Sequence, residues 1–167
     1  MVLTVGSGQD GGASDHLLAL PEFLFEPVAV DRVIRHGERI TLGGAEIEVV
    51  ESPGHTNGSV SFLMDIDAGN TSYEVAIVNM GSVNEGTTLV DNAVYPSIAD
   101  DYVLTFERQE ALSPDIWVSA HAGQYGLHDK LSPGQPYDPD RFVDPDGYLR
   151  AVESYAARFK ELLTNEQ

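Results

Sequence analysis

The chain has 167 residues, 42% hydrophobic and 22% charged, a balance that fits one folded domain with a real core rather than a disordered segment. Nine basic residues against 27 acidic ones give a net charge of −18, so nucleic acid and anionic lipid are repelled and neither is expected as a partner. There is no cysteine, so disulfides and thiolate metal sites are excluded, and no apolar run approaches the ~18 residues of a membrane span.

Residues 1–12 hold no basic residue and no long apolar stretch, unlike a signal peptide. The run over 2–5 reads as a strand that begins abruptly at the first residue. Residues 6–14 are rich in Gly and Ser and read as a loop. Residues 16–25 are mostly apolar and read as a short helix or a buried loop. Short strand signals follow, with a turn at His36-Gly37-Glu38 and another at Gly43-Gly44. Residues 45–50 alternate apolar and acidic side chains, the pattern of a half-buried strand after a hairpin turn.

Residues 53–58 form a turn-rich loop. Strands are expected over 59–66 and 73–78, with a polar turn at 67–72 between them. Residues 79–96 are irregular. Helical spacing over 98–112 places Ile98, Tyr102, Val103, Phe106 and Leu112 on one stripe. The short apolar run over 116–120 reads as a buried strand, and 132–145, with four prolines, as a long loop. Asp144-Pro145-Asp146 starts the last helix, over 147–163, with Pro at the first turn and acids at the positive end of the helix dipole. Its stripe is Val152, Tyr155, Phe159 and Leu162. A β-rich first half followed by helix, strand and helix implies an α/β layered protein with a sheet face in need of cover.

Two strings carry chemistry. In Ser52-Pro53-Gly54-His55-Thr56-Asn57-Gly58-Ser59 an imidazole sits on a strand-to-strand loop between glycines, a good geometry for presenting a metal ligand at a sheet edge. In Ile116-Trp117-Val118-Ser119-Ala120-His121-Ala122-Gly123 a buried strand ends in His, where α/β proteins place reactive groups. Taken singly, a loop histidine is more often solvated and a strand-end histidine more often a cap.

Together, Pro-Gly-His-Thr-x-Gly-Ser and a later strand-terminal His resemble the metallo-β-lactamase superfamily. Further strings resemble its subclass B3. They are the Asp-Arg-Val-Ile-x-x-Gly-Glu-x-Ile-x-Leu-Gly-Gly segment ending at Gly44 and the loop Asn79-Met80-Gly81-Ser82-Val83-Asn84. Gly126-Leu127-His128-Asp129-Lys130 and Arg141-Phe142-Val143-Asp144-Pro145-Asp146-Gly147-Tyr148 complete the set. The resemblance covers the chain from Val2 to Leu163. It implies an α/β metallo-β-lactamase fold, a four-layer αββα sandwich, here N-terminally incomplete, with residues 1–167 as a partial domain.

It also implies roles. His55 matches the third histidine of a first zinc site. His121 matches the second-site histidine. Ser82 and Asn84 fall in the loop that meets the substrate carboxylate. The implied chemistry is β-lactam ring opening by a zinc-bound hydroxide, in an enzyme exported to the periplasm or secreted. The family motif His-x-His-x-Asp-His is absent, so one ligand per zinc is left and the isolated chain is expected to be inactive. A dimer through the uncovered sheet face is a further expectation.

Two rivals stand beside this reading. One is another hydrolase on the same fold, a lactonase or thioesterase. The other is a degenerate, non-catalytic binding member. Among the other histidines, Asp15-His16 lacks the upstream pair of the motif, His36 is expected to be solvated, and His128 to hold the loop after His121. Asp129 is expected either to orient an imidazole or to pair with Lys130. Asp65/Asp67 and Asp138/Asp140 read as turn acids.

Overall fold

The computed structural model describes residues 3–5 and 29–167. Strand β1 (Leu3–Val5) pairs in parallel with β2 (Arg32–Ile34). A second, five-stranded sheet follows in chain order: β3 (Arg39–Leu42), β4 (Ala45–Glu51), β5 (Val60–Ala68), β6 (Thr71–Val78) and β7 (Ile116–Ser119). The first four are antiparallel neighbours, while β7 lies parallel to β6. The crossover between them carries helix α1 (Ile98–Glu110). Beyond β7 come a 3-10 turn (Ala122–Gln124), the four-residue helix α2 (Leu127–Lys130), a second 3-10 turn (Pro139–Phe142) and the long helix α3 (Pro145–Glu166). The expected loop over 16–25, and with it His16, lies outside the described residues.

The β5–β6 hairpin is tighter than the sequence suggests. The expected six-residue polar turn closes to Gly69-Asn70, with Asp67 and Ser72 paired across the strands. Gly69 takes φ +78°, the positive φ that a two-residue hairpin turn requires at its first position. Alternation then sets the faces. Leu63, Ala76 and Trp117 share the face covered by α1 and α3, where Tyr102, Phe106, Tyr148, Val152 and Phe159 complete the main core. Ile47, Val49, Phe62, Val75, Ile77 and Val118 share the opposite face by register. Part of it packs on Ile34 and Ile40, whereas Ile66 and Ile77 stay 42% and 41% exposed. This apolar face is the one that a second layer would cover in a four-layer sandwich.

Among the described residues no helix is long and apolar enough to cross a membrane.

Candidate active site

Register brings the two sequence strings to one edge. β4, β6 and β7 run in the same direction, and their last residues, Glu51, Val78 and Ser119, adjoin the start of β5. Three loops therefore leave the sheet at the same side: 52–59, 79–97 and 120–126. A hydroxyl chain ties the strand ends beneath them. Ser52 Oγ lies 2.8 Å from Ser61 Oγ, which accepts the Asn79 N–H at 3.0 Å, and Ser119 Oγ lies 2.8 Å from the Val78 carbonyl.

His55 and Ser82 meet at this edge. His55 Nδ1 is 2.7 Å from the Ser82 carbonyl oxygen and 3.3 Å from Ser82 Oγ. A carbonyl only accepts, so Nδ1 must carry the proton. The serine hydroxyl is then at most a weaker second acceptor. This tautomer leaves Nε2, on the far side of the ring, unprotonated and able to donate its lone pair. A second hydrogen bond that selects the tautomer in this way is the usual support of a metal-binding imidazole.

His121 stands two residues past β7, with its side chain exposed. Its main chain is held by Gln124. Gln124 N donates to the His121 carbonyl at 2.9 Å, and His121 N donates back to Gln124 Oε1 at 3.3 Å. Asn84, half-buried, follows Ser82 in the same loop, and its carbonyl accepts the Thr87 N–H at 3.1 Å. His36 is exposed in its turn and His128 is exposed on α2. Lys130 does not pair with Asp129: its Nζ lies 2.9 Å from Asp144 Oδ2 and over the Trp117 ring.

Helix α1 fixes both histidine-bearing and serine-bearing loops from below. Tyr102, Thr105, Phe106 and Gln109 lie three or four residues apart, hence on one face. Thr105 Oγ1 donates to the Pro53 carbonyl at 2.5 Å and Gln109 Nε2 to the Asn79 carbonyl at 2.7 Å. Tyr102 Oη donates to the Ser82 carbonyl at 2.9 Å, and Arg108 Nη1 to the Glu51 carbonyl at 2.9 Å. The aromatic rings also dictate two glycines. A Cβ on Gly54 would sit 2.8 Å from the Tyr102 ring, and one on Gly81 2.7 Å from the Phe106 ring. Sequence reasoning missed Thr105 and Gln109, because a polar side chain inside an amphipathic helix ordinarily faces water. Both are fully buried, and only the fold shows the carbonyls they reach.

A cavity of 260 Å³ lined by Arg39, Glu46, Glu48, Asp65 and Glu74 lies at the opposite end of the strands. Arg39 binds Glu46 and Glu48 there at 2.7 and 3.2 Å. It takes no part in the edge that holds His55.

The fold is that of the metallo-β-lactamase superfamily, whose members the chain resembles. Within it the likeness is to class B3 enzymes. It resembles the metallo-β-lactamase FEZ-1 of Legionella gormanii at 34% identity, over 90% of this chain and 58% of that one, with a TM-score of 0.82. GOB-18 of Elizabethkingia meningoseptica gives 33% identity over 84% and 52%, at 0.80. The class B3 di-zinc enzyme LRA-12 from an Alaskan soil metagenome gives 36% identity over 82% and 52%, at 0.78. Among curated proteins, the hydroxyacylglutathione hydrolase of Hyphomonas neptunium is 37% identical over 59 residues, 35% of this chain and 23% of that protein. That of Brucella anthropi is 36% identical over 61 residues, 36% and 24% respectively. No protein-family model matches the chain. The chain thus spans a little over half the length of these solved relatives and about a quarter of the curated ones.

The LRA-12 enzyme is named as a di-zinc one. Among the described residues no group of three His, Cys, Asp or Glu side chains is placed to hold an ion. A catalytic zinc takes three protein ligands. The described residues therefore do not make a zinc site by themselves.

Proposed function

We propose that this chain forms one wall of a hydrolytic site of the metallo-β-lactamase type, and that the whole protein opens β-lactam rings in the manner of class B3. The observation that carries this reading is His55, locked at Nδ1 by the Ser82 carbonyl and so left unprotonated at Nε2, at the edge to which β7 also leads. Each histidine supplies one donor toward one of two zinc ions, and the remaining donors come from outside the described residues. Ser82 and Asn84 meet the substrate, a small molecule bearing a carboxylate. Export to the periplasm or beyond the cell belongs to the same proposal.

The chain by itself is expected to hold zinc weakly and to hydrolyse nothing measurable, because one imidazole per ion competes poorly with water. Elemental analysis of the dialysed chain checks this, and two retained zinc ions per chain would contradict it. Assay of the whole protein on a carbapenem tests the substrate. A second reading, thioester hydrolysis, is favoured by the hydroxyacylglutathione hydrolases matched over about sixty residues. The whole protein assayed on a glutathione thioester and a lactone separates the two: turnover of those with none of the carbapenem would replace the β-lactam reading.

A further inference from the structure

We infer that Tyr102 is a positioning residue for His55, because its hydroxyl and the His55 Nδ1–H share one acceptor, the Ser82 carbonyl oxygen. The two donors reach that oxygen at 2.9 and 2.7 Å. A carbonyl has two lone pairs, so both bonds are satisfied at once. Tyr102 is 1% exposed, and burial pushes its phenol well above the ordinary range, so it remains a donor throughout the working pH range.

The residue also touches the other loop. Its ring lies against Gly54, the residue before His55, so closely that no Cβ fits there. One side chain therefore sets the height of loop 52–59 with its ring and the direction of the Ser82 carbonyl with its hydroxyl. Those are the two quantities that decide where the His55 ring sits and which nitrogen is protonated. A phenylalanine would fill the same space against Phe106 and Phe159, whose ring centroids are 6.2 and 5.1 Å away. The hydroxyl is what packing alone does not require. Its role in catalysis rests on the reading of His55 given above, whereas its role in orienting the imidazole does not.

The test is a long-range ¹H–¹⁵N correlation spectrum of the labelled chain at about pH 8.5, above the usual imidazole range. A His55→Gln variant identifies the His55 signals. The wild type is expected to show His55 as the Nδ1–H tautomer. In Tyr102→Phe the Nε2–H form is expected to grow several-fold. Loss of packing alone would lower the melting temperature and leave the tautomer as it was. A wild-type His55 protonated mainly at Nε2, or a Tyr102→Phe spectrum identical to the wild type, overturns the inference; the first needs no variant to fold. In the whole protein, zinc affinity is expected to fall ~10- to 100-fold in Tyr102→Phe. A tautomer shift with unchanged zinc affinity would uphold the positioning role and sink the ligand role of His55.

Discussion

At Gly54 the backbone takes φ +121°, a region closed to residues with a Cβ, and the Tyr102 ring occupies the place where that Cβ would go. Both penalties fall on one substitution. Gly54→Ala is expected to lower stability by about 1–3 kcal/mol from backbone strain alone, more once the ring is displaced. Thermal unfolding followed by circular dichroism measures it. A variant as stable as the wild type would show that the loop relaxes freely, which would weaken the case that α1 fixes it. The sequence showed Gly54 as a loop glycine beside His55. It could not show why glycine is needed, since Tyr102 lies 48 positions further along the chain.

At the scale of elements, α3 was legible at its start. The Asp144-Pro145-Asp146 signal is realised: Asp144 Oδ1 accepts the Gly147 N–H at 2.9 Å, and Pro145 occupies the first turn. The same carboxylate lies 2.9 Å from the Lys130 ammonium, which is only 14% exposed. Asp144→Ala removes the cap and strands that charge, so the expected loss is roughly 2 kcal/mol or more. Asp144→Asn keeps the cap and loses the ion pair, and should fall between. Urea unfolding of the three proteins checks the order. The stripes of α1 and α3 were only partly legible. Val103, expected inside, is 44% exposed, and Ala156 and Tyr148 take places expected of Tyr155 and Leu162, which are half-buried. Spacing fixes which residues share a face, but the angle at which a helix meets its neighbour decides which edge of that face is dry.

Across the whole molecule, the buried phenols of Tyr95, Tyr102 and Tyr148 are all pushed up, chiefly by burial, with the negative charge of Asp101 adding to the effect at Tyr95. The sign follows directly. Below pH ~10 these phenols are protonated in both folded and unfolded chains, so their contribution to stability is intact. Above it the unfolded chain ionises and the folded chain does not, so stability falls as pH rises. Ellipticity and phenolate absorbance are therefore expected to change together above about pH 10. Smooth ionisation of every tyrosine with the helices intact would contradict the burial. Self-repulsion at a net charge of −18 acts in the same direction, but added salt screens it and leaves the tyrosine contribution in place.

Much of this protein was set by local chemistry that a sequence displays. Alternation gave the strands, capping gave α3, two short strings pointed to His55, His121 and the superfamily, and four further strings to its class B3. Those features depend on neighbours within a few residues, or on a family pattern retained in the chain. What the tertiary structure decided was convergence: strand direction and register bring Glu51, Val78 and Ser119 to one edge, and α1 then joins the loops above it. The His55 tautomer is of this second kind. It is selected by a carbonyl 27 residues away and a phenol on a helix beyond it, and hydrogen bonds between distant segments leave no periodic trace in a sequence.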